Sequence, residues 1–202
     1  MARYTGPKIK KSRRLGVDLG HKQNLQKVAR RLSIIPGQHG RRGARRQSEY
    51  GQQLAEKQKV QYAYGIQERQ LRRYVETAQR TPQATGAELL RLLERRLDNS
   101  IFRLGFAPTR GLARQLVTHG HVLINQHKVS IPSYQVAVDD IITLSSRALE
   151  IPDVKARMAN KEISIPKWMQ KKAGAGKISR LPERQDIDTV VDEQLLVEFY
   201  SR

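Results

Sequence analysis

Residues 1–80 carry 20 Lys and Arg against 5 Asp and Glu, whereas residues 81–202 carry 18 against 14. A charge imbalance of that kind repels itself on compaction unless carboxylates or an external polyanion compensate it. The formal excess over the whole chain is +19, which points to nucleic acid as the partner class. A membrane surface would also attract a basic chain, but no apolar run approaches the ~18 residues that a spanning helix needs. The N-terminus reads as a basic stretch rather than a secretory signal, so a soluble intracellular protein with no membrane partner is expected. There is no cysteine, which excludes disulfides and thiolate metal ligands.

The charge is concentrated in two stretches, ARYTGPKIKKSRRLG and PGQHGRRGARRQ, in which Lys and Arg alternate with Gly and Pro. Neither holds enough apolar surface to build a core of its own. Residues 1–46 are therefore expected to be a basic arm of extended segments and loops that orders on RNA. Its candidate contacts are Arg3, Tyr4, Lys8, Lys10, Lys11, Arg13, Arg14, Gln38, His39, Arg41, Arg42, Arg45 and Arg46. A solvated tail is the plainer alternative; two clusters with Tyr4, His39 and Tyr50 available for stacking favour an RNA-threading arm.

After the arm, Ser48 can cap a helix running to about residue 64, and Gly65 breaks it before a second helix over 66–79. Leu71, Tyr74 and Val75 face a core, while Lys57, Lys59, Arg69, Arg72 and Arg73 stand off the apolar stripe and become candidate phosphate contacts. At residue 85 the pattern changes. TGAE reads as a capping box with Thr85 as N-cap and Glu88 reaching back, and Leu89, Leu90, Leu93 and Leu97 form one apolar face. Thr109 can cap a further helix that ends at Gly120, with Leu112, Ala113, Leu116 and Val117 inward. On this reading Arg110 and Arg114 lie off the apolar face and present two guanidinium groups, joined by His121 and Lys128 on adjoining strands. HVLIN, KVSI, YQVAV and DIITL are predicted strands of a small antiparallel sheet.

The blocks ARYTGPKIKKSRRLG, PGQHG, EKQKVQYAYGIQERQLRRY, TGAELLRLLERRLDN, LERRLDNSIFRLGFAPTRGLARQLVTHGHVLIN and LLVEFYSR resemble, in order, successive blocks of the bacterial-type S-four family of ribosomal proteins. The module they enclose is similar to the S-four RNA-binding domain. That resemblance implies an α+β protein: a mainly helical body, 47–84 plus 157–202, with an inserted module at 85–156 of two helices on a short antiparallel sheet. It further implies a small-subunit protein that binds rRNA at a multi-helix junction of the 5′ domain and helps nucleate assembly. Contact with ribosomal protein S-five and other neighbours, a place near the mRNA entrance, and a link to decoding accuracy follow from it too. A free RNA-binding translational regulator is the alternative reading.

Some features depart from the family or remain open. Certain relatives hold zinc with four N-terminal cysteines; this chain has none, so neither metal nor cofactor is expected. The hairpin reads NQHK where the family has Asn-Gly, which predicts a longer or different turn. Segment 145–185 matches weakly, AGAGK lacks the spacing of a phosphate-cradling loop and reads as a flexible turn, and Pro166 and Trp168 are expected to anchor the segment to the body. His119 and His121 have no carboxylate motif beside them, and fewer than 60 residues follow Leu144, too few for an added catalytic domain; no enzyme is expected. Asp186, Asp188, Asp192, Glu193 and Glu198 fit either a solvated balancing face or an interface with a basic neighbour.

Overall fold

Two helices form within the basic N-terminal stretch, where extended segments and loops were expected. In the computed structural model, which describes residues 4, 6–21, 25–40, 47–160, 164–172, 174–188 and 191–201, α1 spans Lys8–Leu15 and α2 spans Leu25–Leu32. Gly16, which looked like a loop-former, ends α1 in the left-handed conformation (φ 67°) with its N–H donating to the Ser12 carbonyl, as a glycine cap does. Burial of Ser12, Leu19 and Val28 supplies the packing that composition alone did not suggest. Arg3, Arg41, Arg42, Arg45 and Arg46 lie outside the described residues.

The chain divides into two compact units, 1–89 with 189–202, and 90–188. In the first, α1 packs on α2 and on α3, Glu49–Ala63. Ser48 caps α3 by accepting from the Gly51 N–H, and Gly65 takes φ 62° before α4, Glu68–Gln79. Leu71, Val75 and Ala78 are the buried stripe of α4. The C-terminal helix α10, Glu193–Ser201, lies against α3 and α4, with Asp192 accepting from the N–H groups of Gln194 and Leu195 at its start. Helix α5, Thr85–Glu94, begins one residue earlier than expected. The Glu88 N–H donates to the Ala84 carbonyl, so Thr85 is the first helical residue and not the cap.

The second unit holds α6, Leu97–Arg103, and α7, Arg110–Thr118, with Thr109 capping α7 through the Leu112 N–H. Strands β1, Val122–Ile124, β2, His127–Lys128, and β3, Ile141–Leu144, follow. YQVAV is not a strand; only an isolated bridge between Arg96 and Gln135 remains of it. After the short helices α8, Ser146–Leu149, and α9, Pro152–Ala159, come β4, Met169–Lys172, and β5, Ala175–Ile178. All pairings are antiparallel in a five-stranded sheet of order β2-β1-β3-β5-β4. Within AGAGK, Gly174 is in a turn, as expected, while Ala175, Gly176 and Lys177 belong to β5; at Gly176 an added Cβ would come within 2.3 Å of Leu104 Cδ1, so glycine lets the sheet close on α6. Trp168 is fully buried, in the same apolar cluster as Leu104, Leu116 and Ile142. Segment 157–188 thus belongs with this unit and not with the helical body.

The NQHK hairpin is short after all. Ile124 pairs with His127, leaving two turn residues, Asn125 (φ 48°) and Gln126 (φ 70°), both left-handed. Twisted strands favour such a turn, and here Asn125 stabilises it without glycine. Its Nδ2 donates to Asp140 Oδ1 and its Oδ1 accepts from the Ile141 N–H, each at 2.9 Å.

Candidate nucleic-acid interface

Helix α4 buries Leu71, Val75 and Ala78, so the positions opposite, Arg69, Arg72 and Arg73, are exposed. Their three- and four-residue spacing places them on one face. Arg72 makes an i,i+4 pair with Glu76 at 3.4 Å in which both side chains remain mostly in solvent, a contact of little strength. On α1, Lys8, Lys10 and Arg14 are exposed, as are Gln38 and His39 after α2. Arg30 and Arg31 in the last turn of α2 are exposed as well; the amphipathic run LQKVARRL, outside the Gly/Pro-rich clusters, is the sequence signal for them.

Other expected contacts are committed within the protein. Lys11 sits between two rings, its ammonium 3.4 Å from the Tyr4 centroid and 3.7 Å from that of Tyr62, and burial holds it below the usual lysine range. This cation–π arrangement joins α1 to α3. Arg13 donates from Nε to the Ile34 carbonyl at 2.8 Å. Lys57 is buried, 2.8 Å from Glu68 Oε2 and over the Phe199 ring, while Lys59 pairs with Glu56. The same carboxylates receive α10: Tyr200 donates to Glu68 Oε1 at 2.8 Å and the Asp192 N–H to Glu56 Oε2 at 3.2 Å. Burial first, and then the Glu68 carboxylate, push the Tyr200 phenol well above its ordinary range.

The largest correction concerns α7. Arg114 is 11% exposed and lies 3.7 Å from Asp98 Oδ2, a carboxylate already bound at 3.0 and 2.7 Å by the fully buried Arg96. Arg110 donates to Asn99 Oδ1 at 2.8 Å and stacks over Phe102 at 4.5 Å. Asn99 in turn donates to Glu94, which Arg103 grips with two hydrogen bonds of 3.0 and 2.9 Å. These guanidinium groups brace α6 against α7 rather than standing free. A helical wheel follows the direction of Cβ, while a long side chain can lie back along the protein and place its head elsewhere. His121 is half-buried, with Nδ1 3.3 Å from Ser145 Oγ, and Lys128 is exposed where its stem crosses Gly120.

A cavity of about 500 Å³ is lined by Ser164, Lys167, Arg180, Gln185, Asp186 and Asp188, among others. Its charges are mixed. Arg180 lies 2.7 Å from Asp186 and 3.4 Å from Glu183. Burial raises the Asp186 pKa, but the Glu183 N–H together with Arg180 and Lys167 outweighs it and leaves the carboxyl below its usual range. Such a cavity does not favour a polyanion. Asp188 also pairs with Arg103 at 3.1 Å, and Glu198 with Gln53 Nε2 at 3.1 Å, so much of the acidic C-terminal stretch has internal partners. Among the described residues, no group of three or more His, Asp or Glu is placed to hold a metal ion, and no helix is long and apolar enough to cross a membrane.

The geometry leaves one-sided cationic helices in the first unit and a small helix-sheet module in the second. Residues 3–94 match the family described as the ribosomal protein S4/S9 N-terminal domain, and residues 95–142 match the S4 domain. A small ribosomal subunit protein uS4 from Mycolicibacterium smegmatis is 51% identical over 206 residues, covering all of both chains. The chain belongs to the ribosomal protein S4 family. Proteins of the same name from Herpetosiphon aurantiacus and Roseiflexus castenholzii are 49% and 48% identical, again over the full length of both chains. Membership makes this an RNA-binding ribosomal protein and a structural, non-enzymatic component. The two family matches meet at Arg95, beside the buried Arg96–Asp98 pair.

Proposed function

We propose that this S4-family chain is a primary rRNA-binding component of the small ribosomal subunit, bound at the multi-helix junction of the 5′ domain, where it helps nucleate subunit assembly. The observation that carries the reading is the exposed face of Arg69, Arg72 and Arg73 on α4, in a chain half identical over its whole length to small-subunit proteins. Phosphate contacts from such a face position a protein on folded RNA by shape. Exposed Lys8, Lys10, Arg14, Gln38, His39 and Lys128 extend the same chemistry. Contact with ribosomal protein S-five, proximity to the mRNA entrance, a contribution to decoding accuracy and a cytoplasmic location on the subunit belong to this reading through the family.

Sedimentation of tagged protein with small subunits, followed by crosslink mapping to rRNA, tests it. Crosslinks in the 5′ domain from peptides containing residues 8–14 and 69–73 are expected. Protein that stays at the top of the gradient and crosslinks only to a message would favour the free regulator. With about ten phosphate contacts, affinity for the rRNA should fall with salt at a log-log slope of roughly −7 to −9.

A further inference from the structure

Arginines of the second unit face carboxylates: the fully buried Arg96 faces Asp98, the largely buried Arg103 faces Glu94, and the more exposed Arg180 faces Asp186. One pair does not fit that rule. Arg157 lies in α9 on the same stripe as Val154 and Met158, three and four residues along from the buried Val154. Its Nε is buried and makes no hydrogen bond. Lys171 is on β4, the edge strand of the sheet, and is paired with Gly176. Gly176 faces Leu104, so Lys171 lies on the core-facing side of the sheet, with its ammonium 4.8 Å from the Phe106 centroid. Burial first, and the charge of Arg157 second, hold Lys171 below the ordinary lysine range. Among the described residues, no carboxylate pairs with either group.

Lysines on an exposed sheet edge discourage strand addition, and Lys172, exposed on the same strand, meets that need. It does not explain Lys171, whose half-buried ammonium is placed beside a second cation. Two like charges drawn out of water oppose folding unless an anion joins them. We propose that Arg157 and Lys171 form a clamp for one backbone phosphate of the bound RNA. Arg157 supplies a planar donor fork suited to phosphate oxygens and Lys171 a compact point charge. The phosphate supplies the countercharge that the pair lacks among the described residues. The clamp rests on the rRNA-binding reading above and adds to it a contact in the segment that resembles the family least.

The test compares the parent with Arg157→Met/Lys171→Met, which keeps the apolar stems, by filter binding to a transcript of the 5′ domain across a salt series. The clamp requires an affinity loss on the order of tenfold or more and a log-log salt slope shallower by roughly 0.9, the share of the one phosphate neutralised. The unfolding temperature of the free variant should equal or exceed the parent's, because like-charge repulsion is relieved. Affinity and slope equal to the parent's would overturn the clamp. Should the double variant unfold, Lys171→Glu provides a second route: it pairs with Arg157 in the free protein and repels phosphate, so parental binding by that variant also overturns the clamp. Failure of the parent to bind the transcript at any salt would remove the rRNA reading and the clamp with it, whereas normal parental binding unchanged in both variants removes the clamp alone.

Discussion

Helices α4 and α7 both carry arginines three or four residues apart opposite an apolar stripe, yet they use them in opposite ways. On α7, Arg110 and Arg114 turn back to Asn99, Asp98 and Phe102. On α4, Arg69 and Arg73 remain exposed, and Arg72 has only a solvent-exposed partner. The difference lies in what each helix packs beside. The first turn of α6 offers α7 a buried carboxylate and amide, and a carboxylate already drawn out of water attracts nearby guanidinium groups strongly, because leaving it uncompensated is costly. Net charge therefore measures attraction to a polyanion, while the placement of acids decides which cations remain available to it.

Removing the carboxylate should show the contrast most strongly. Asp98→Ala leaves Arg96 fully buried without its partner, and we expect a loss of about 3 to 5 kcal/mol in chemical denaturation; a loss under about 1 kcal/mol would mean that the pair contributes no more than a surface one. Leu116→Ala opens a cavity in the cluster below α7 and is expected to cost about 2 to 5 kcal/mol, with RNA affinity falling only as far as the folded fraction does.

Arg114→Ala, with Asp98 still held by Arg96, should cost ~1 to 2 kcal/mol. This exceeds the ~0.5 kcal/mol usual for an exposed site, so an unchanged unfolding midpoint would return Arg114 to the class of free cations. The smallest stability effect belongs to Arg69→Ala/Arg73→Ala, expected within about 0.5 kcal/mol of the parent. Its rRNA affinity should nevertheless drop, with the salt slope shallower by about 2. Parental affinity in that variant, measured beside Arg114→Ala, would break the contrast between the two helices.

The order of elements through 48–128 was legible because local signals set them. Ser48 and Thr109 cap their helices through hydrogen bonds to N–H groups three residues on, and Gly65 and Gly120 take the positive φ that their positions require. Leu89, Leu90, Leu93 and Leu97 are buried where their period put them. Folding of the basic arm into α1 and α2 was not legible, because its stabilisation comes from α3 and from Tyr62, Lys11's partner across the interface. Nor were β4 and β5, since GKI and MQKK have little apolar alternation of their own and become strands by pairing with β3 and each other.

By itself the sequence determined the partner class, through a charge excess that only a polyanion compensates, and the family, through ordered blocks along nearly its whole length. The tertiary structure decided which of the described cations remain exposed to such a partner. A residue's type and period set its charge and the direction of its Cβ, but the end of an arginine or lysine side chain settles wherever a carboxylate, ring or carbonyl meets it. For Arg114, Lys57 and Lys11 those groups are Asp98, Glu68 and the Tyr4–Tyr62 pair, with Asp98, Glu68 and Tyr62 each brought there from a neighbouring helix.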